Sequence, residues 1–257
     1  MPSSSETMTI PPCDKPIYIL SFGGGVNSTA LFFYLLKHQF PIDEIIFADT
    51  GSELPETYAI VEKFKKVCEE KRILFTIVKS KLSNSLYEYY YDKKALPSRQ
   101  KRDCTGKFKV SVIKNYLRAK YGKDKKFSQY IGIAAEESHR MKGSNVSYIN
   151  LVYPLVFAQI NREDCIRMCR ENGFSEVVKS GCYCCPFTRK EGWKELFKNH
   201  PELFEKAIML EENCNNKKVT LASIPLREIK RKLVLPKEQL LLDDFERTCD
   251  VAGSCFL

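Results

Sequence analysis

The sequence predicts an α/β protein: an open, mostly parallel sheet flanked by helices, followed by a mainly helical, cysteine-containing C-terminal part. Three observations carry this. Ile17-Tyr18-Ile19-Leu20-Ser21-Phe22 is an apolar strand that enters a triple-glycine turn and leaves as a helix start. Buried-strand patterns recur at Ile42–Asp49 and Ile73–Val78, separated by helical periodicity, as in βαβ units. Finally, 257 residues with 44% apolar and 28% charged content suffice for one sizeable core.

The elements follow in order. Residues 1–14 are polar and read as a disordered tail without a secretory signal, which makes the cytoplasm the expected location. No apolar run approaches the roughly 18 residues of a membrane span. Ala30–His38 continues the first helix, and Ile42–Asp49 is a strand ending in a carboxylate. Pro55 opens a helix to about Lys71, with Ile73–Val78 as the third strand. The tyrosine-rich stretch Leu82–Pro97 is helical or irregular and precedes the basic run Arg99-Gln100-Lys101-Arg102. Cys104–Gly122 reads as a helix, Tyr130–Ile133 as a fourth strand, Arg162–Asn172 as a helix stopped by Gly173, and Glu191–Cys214 as one amphipathic helical stretch. The expected division is a nucleotide-binding α/β domain over 15–190 and a helical extension over 191–257.

Gly23-Gly24-Gly25 can bring backbone N–H groups around an anion at a helix N-terminus, where the helix dipole favours negative charge. Ser21, Asn27, Ser28 and Thr29 add polar groups at the same turn, and Asp49, at the end of the neighbouring strand, can meet it at one crevice. The pattern is neither a Walker loop nor a dinucleotide fingerprint. It resembles the PP-loop of the adenine nucleotide alpha hydrolase-like superfamily, S-G-G-x-D-S, with Gly23 in place of Ser and Asn27 in place of Asp. That resemblance implies a Rossmann-like sheet and the use of ATP with Mg²⁺.

Eleven cysteines without an export signal point to metal, cluster or redox sites rather than to a disulfide framework. Cys182-Tyr183-Cys184-Cys185 contains a C-x-x-C that can turn two thiolates toward one metal. A zinc site is the alternative, with Cys184, Cys214, Cys249 or Cys255 as a further ligand, and buried thiols are the third reading. Cys68, Cys165 and Cys169 sit inside helical patterns and read as core.

Three segments extend the resemblance to the phosphoadenosine phosphosulfate reductase-like family. Cys104-Thr105-Gly106-Lys107-Phe108-Lys109-Val110 is similar to its C-C-x-x-R-K-V, with Thr105 for the second Cys and Phe108 for the Arg. Gly132-Ile133-Ala134-Ala135-Glu136-Glu137-Ser138 is similar to G-I-R-x-x-Q/E-S, with Ala134 for the Arg and Arg140 as the following arginine. Gly181–Pro186 matches the closing half of the cluster motif in iron–sulfur members.

The resemblance implies Cys104, Cys182 and Cys185 as ligands of a [4Fe–4S] cluster. Thr105 stands where a fourth ligand would be, which leaves one iron open to sulfide. It also implies Lys109 and Arg140 as phosphate contacts. Arg99 and Arg102 either extend the anion path or form a solvated charge run. Reductases of the family carry a nucleophilic cysteine in an E-C-G-x-H ending that this chain lacks; Cys255 is the candidate for that part.

A formal charge of +9 favours polyanionic partners. The expected function is therefore an ATP-dependent sulfurtransferase acting on a tRNA or DNA acceptor. The alternatives are a reductase of adenylylsulfate or phosphoadenylylsulfate, and a non-catalytic zinc-containing nucleic-acid-binding protein. The sequence names neither the acceptor, the sulfur donor nor the oligomeric state.

Overall fold

The computed structural model describes residues 15–177 and 180–234. Its elements are β1 (Ile17–Phe22), α1 (Val26–Lys37), β2 (Glu44–Asp49), α2 (Pro55–Glu70), β3 (Leu74–Lys79), α3 (Leu86–Asp92) and α4 (Asp103–Thr105). A π-helical turn (Gly106–Val110), α5 (Ser111–Tyr121), β4 (Phe127–Ile131), a 3-10 helix (Ala135–Arg140) and β5 (Ile149–Val152) follow. The chain continues with α6 (Pro154–Phe157), α7 (Arg162–Glu171), α8 (Lys190–Asn199), α9 (Pro201–Asn213) and α10 (Leu226–Val234). No helix among the described residues is long and apolar enough to cross a membrane.

The strands form one five-stranded sheet in the order β3-β2-β1-β4-β5, and every pair is parallel. Such a sheet must be covered on both faces. All six residues of β2 are buried. On one face Leu20, Phe22, Ile45 and Phe47 pack with α1, α2 and α7, and this cluster takes in Cys68, Cys165 and Cys169, so these three thiols are core. Burial pushes Cys68 and Cys165 up to about 12 and Cys169 up to about 11, which suppresses thiolate chemistry. On the other face Ile19, Ile46, Ala48 and Val78 pack against Ile113 and Leu117 of α5. The strand order reverses beside β1, and parallel sheets bind ligands beyond the carboxyl ends of their strands at such a point.

The chain divides into two compact units, residues 1–80 with 107–181, and residues 81–106 with 182–257. The first contains the sheet. The second has its own core, in which Trp193, Phe204, Leu210, Leu221 and Leu226 are buried. Segment 81–106 thus joins a unit that resumes 75 residues later in the chain, an arrangement no linear division at 190 anticipates.

The elements depart from the sequence reading at four places. β4 begins at Phe127 and ends at Ile131, before Gly132. β5 has only four residues, Ile149-Asn150-Leu151-Val152, too short to show alternation. The single helix expected over 191–214 is two helices: Pro201 is the first residue of α9, and His200 before it leaves the helical region, with φ −141° and ψ 64°. α10 lies within the expected helical extension, in a stretch where the sequence reading set no helix bounds.

Candidate functional site

The candidate site of the first unit lies at the carboxyl ends of β1, β2 and β4. β1 stops at Phe22, and the chain turns through the three glycines into α1. Gly24 has φ +69°, and a Cβ there would lie 2.7 Å from Thr57 Cγ2. A Cβ on Gly25 would lie 2.7 Å from Ser180 Oγ and 3.1 Å from the Ser180 nitrogen, so only a residue without a side chain leaves room for Ser180 against the turn. Gly132, just past β4, approaches the start of α1 so closely that its Cβ would lie 2.8 Å from the Ser28 nitrogen. Gly25 precedes α1 and caps it with no side chain. The first amides of a helix that starts this way suit an anion.

The hydroxyls expected to face the anion brace the turn instead. Ser28 Oγ donates to the Gly25 carbonyl at 3.0 Å and accepts the Gly23 N–H at 3.2 Å. Thr29 Oγ1 donates to the same carbonyl at 3.1 Å. Ser21 Oγ accepts from the Gln129 amide, tying β1 to β4. The cradle therefore consists of backbone, and its polar side chains hold its shape.

Asp49 at the end of β2 is held by three donors: the Gly51 N–H at 2.8 Å, the Tyr58 hydroxyl at 2.8 Å and Lys79 Nζ at 3.0 Å. Burial works to raise its pKa, but the Gly51 amide, Tyr58 and Lys79 outweigh that and hold it below the usual carboxylate range. Burial and the adjacent Asp49 push the Tyr58 phenol well up, which keeps it a donor. Four residues further on, Glu53 has a fully buried side chain whose Oε1 accepts from Lys109 Nζ at 2.9 Å and from Thr50 Oγ1 at 3.2 Å. Glu53 Oε2 is buried with no hydrogen-bond partner. Lys109, expected as a phosphate contact, thus lies in the π-helical turn ahead of α5, paired with Glu53.

Asn27 and Arg140 enter one polar network. Asn27 Nδ2 donates to Glu137 Oε2 at 3.0 Å, Arg162 Nη1 donates to Asn27 Oδ1 at 3.4 Å, and Arg140 holds the other oxygen of Glu137 at 2.5 Å. Asn27 lacks the carboxylate of the usual PP-loop, and Glu137 places one beside it.

The second unit carries Cys104, Cys182 and Cys185, all half-buried, together with buried Cys184 and Cys214. Two successive turns shape the C-x-x-C: Cys185 N–H donates to the Cys182 carbonyl at 3.1 Å, and Thr188 N–H to that of Cys185 at 3.0 Å. The basic run Arg99–Arg102 is exposed along its length, as a solvated charge run is, and two of its residues also make contacts. Arg99 Nε donates to the Pro186 carbonyl, and the Arg102 guanidinium lies 5.2 Å from the centre of the Phe187 ring. Arg102 takes a left-handed backbone, φ +47°, immediately before α4 and Cys104. Soft thiolate donors suit zinc or an iron–sulfur cluster. Among the described residues, however, no three His, Cys, Asp or Glu side chains are gathered closely enough to hold a metal ion. The donor chemistry fits; gathering the three sulfurs is part of the proposal below. Cys249 and Cys255 lie outside the described residues.

Residues 17–146, just over half of the chain, match the model of the phosphoadenosine phosphosulfate reductase domain. The chain belongs to this family. The family match covers the glycine turn, Asp49, Glu53, Lys109 and Arg140. A curated relative, the uncharacterized protein MJ0973 of Methanocaldococcus jannaschii, is 29% identical over 205 residues, 73% of this chain and 46% of its own length. The chain therefore spans about half of the curated relative it matches. Among solved structures, the phosphoadenylyl-sulfate reductase of Candida auris, a phosphate complex, is similar with 20% identity and a TM-score of 0.43, covering 62% of this chain and 74% of that one. The U34-tRNA thiolase NcsA of Methanococcus maripaludis, with its [4Fe-4S] cluster, is similar with 18% identity and a TM-score of 0.48, covering 78% of this chain and 72% of that one.

The structure adds to the candidate site three residues to which the sequence reading assigns no role, Glu53, Glu137 and Ser180. Glu53 left a faint signal, an acidic residue between a strand-end aspartate and a helix-opening proline. Glu137 lay inside a quoted motif without receiving a role. Ser180 carried no signal, because its importance comes only from its approach to Gly25.

Proposed function

We propose that this protein is an ATP-dependent sulfurtransferase that adenylates and then thiolates a nucleic-acid acceptor. The observation that carries the nucleotide half is the backbone cradle at Gly24 and Gly25, where an added Cβ would meet Thr57 or Ser180. The cradle amides and the start of α1 receive the pyrophosphate oxygens of Mg–ATP, and Lys109 adds a positive charge. An acceptor oxygen attacks the α-phosphorus, the bond to the bridging oxygen breaks, and pyrophosphate leaves with its electron pair. A sulfur nucleophile then displaces AMP from the adenylated acceptor. Fixed N–H donors aimed at the leaving group lower the barrier of the first step, because they stabilise the charge it develops.

Cys104, Cys182 and Cys185 are the residues that would hold an iron–sulfur cluster, with zinc as the alternative ion. A cluster held by three thiolates supplies, when bound, an iron that can carry sulfide. The family match and the backbone cradle support the nucleotide half; the sulfur half is supported by the thiolate chemistry of Cys104, Cys182 and Cys185 and requires the three sulfurs to be drawn together. A tRNA or DNA acceptor is supported by the +9 charge. The whole reaction belongs to the cytoplasm, where both ATP and reduced thiols are found.

The test is anaerobic incubation with ATP, sulfide and tRNA. Sulfur should enter the RNA, read by mass spectrometry of its nucleosides, with one AMP and one pyrophosphate released per sulfur. The second reading, reduction of adenylylsulfate or phosphoadenylylsulfate, is favoured by the family's description and by the match of Lys109 and Arg140 to its motifs. Sulfite release from either nucleotide with a thiol donor, without pyrophosphate production, would replace the first reading with the second.

A further inference from the structure

The group in the first unit that its stability explains least is Glu53. Its side chain is fully buried, yet among the described residues Thr50 and Lys109 both reach Oε1, and Oε2 has no hydrogen-bond partner. Removing a carboxylate from water costs several kcal/mol, in effective terms, unless its oxygens are satisfied. An apolar residue of the same size would pack here at lower cost. A buried charge left half satisfied is the usual mark of a site rather than of a scaffold. The partner on Oε1 is Lys109, whose side chain is 37% exposed and bears a four-carbon stem with many rotamers. Fixing such a stem costs side-chain entropy. An anchored lysine meets an incoming phosphate with that cost already met.

We propose that Glu53 is the positioning residue of Lys109: it holds the ammonium in one place so that Lys109 takes the phosphate oxygens of the nucleotide without first being ordered. The inference rests on the nucleotide reading above and gives its lysine a partner on the β2–α2 connection. It also accounts for the π-helical turn at 106–110, a geometry frequent at functional sites, which carries Lys109.

The test measures binding of ATP, inorganic pyrophosphate and adenosine by calorimetry to the full chain and to Glu53→Gln, Lys109→Met and the double variant, with thermal melting of each. Glu53→Gln should weaken ATP and pyrophosphate by roughly tenfold and leave adenosine unchanged, and it should do nothing further once Lys109 is Met. Glu53→Met should bind the phosphates as weakly as Glu53→Gln while melting at the same temperature or higher, an outcome a structural role would not give. If Lys109→Met leaves ATP affinity intact, the nucleotide reading of Lys109 falls and this inference with it. If Lys109→Met weakens ATP but Glu53→Gln does not, or weakens it equally in both backgrounds, only the positioning role is overturned.

Discussion

The two ends of β2 carry buried carboxylates in opposite circumstances. At the amino end, the fully buried side chain of Glu44 accepts from Thr76, from Tyr116 at 2.6 Å, from Tyr121 at 2.7 Å and from Lys120 at 3.0 Å. Burial would raise its pKa, but these four donors bring it below the usual carboxylate range. Beyond the carboxyl end, Glu53 has two donors and one bare oxygen. A saturated carboxylate locks β2, β3 and α5 together and has nothing left for a ligand. An unsaturated one costs the fold and keeps capacity for a site. The comparison sets a carboxylate that serves the fold at the amino end of β2 against one that keeps hydrogen-bonding capacity on the connection beyond its carboxyl end, with Asp49 between them satisfied as Glu44 is.

Glu44→Ala tests the first half and has the largest expected effect. It strands the Lys120 ammonium and three hydroxyls, so denaturant unfolding should show a loss of about 3–5 kcal/mol, while ATP affinity of the remaining folded protein stays unchanged. Next comes Gly25→Ala, which forces a Cβ toward Ser180. The expected cost is about 1–3 kcal/mol, together with a loss of ATP binding that Gly143→Ala, with open space around it and no positive φ, does not share.

Acid titration sharpens the comparison further. Glu44 and Asp49 both titrate lower in the folded than in the unfolded chain. Their stabilisation is complete above the unfolded values and is lost as pH falls through the folded ones. Unfolding free energy should therefore decline below about pH 5, and Glu44→Ala should decline less steeply than the parent. In the second unit, burial raises the pKa of Glu211 despite the Leu221 and Leu226 amides, so its ionisation opposes folding as pH rises through the unfolded value. The smallest effect belongs to Lys79→Met. Lys79 is well exposed, so its loss should cost under about 1 kcal/mol, and NMR titration should find the Asp49 carboxyl moved up toward its ordinary value.

Much of the sheet was legible because apolar runs of five or six residues have a single stable use when both faces are covered. β1 and β2 show this, while β3, at the sheet edge, is mostly exposed or half-buried; the glycine turn was legible because Gly24 takes a positive φ and Gly25 has no room for a side chain. β5 and the helix break at His200 were harder, the first for its brevity and the second because amphipathic periodicity continues across Pro201. In the site, residue types were legible while their partners were not. Ser28, Thr29 and Asn27 read as anion ligands, yet their hydrogen bonds go to Gly25, Glu137 and Arg162.

The sequence by itself determined the parallel α/β architecture, the glycine turn and the core role of Cys68, Cys165 and Cys169, since each follows from local pattern and composition, and its motifs carried the resemblance to the family. Only the tertiary structure decided that Lys109 stands against Glu53, that Ser180 lies against Gly25, and that Arg99 and Arg102 hold the segment after Cys185. The physical reason is range. Periodicity and turn chemistry act over a few residues, whereas a hydrogen bond between residues 53 and 109, or a contact between 25 and 180, exists only once the whole sheet has fixed both ends in space.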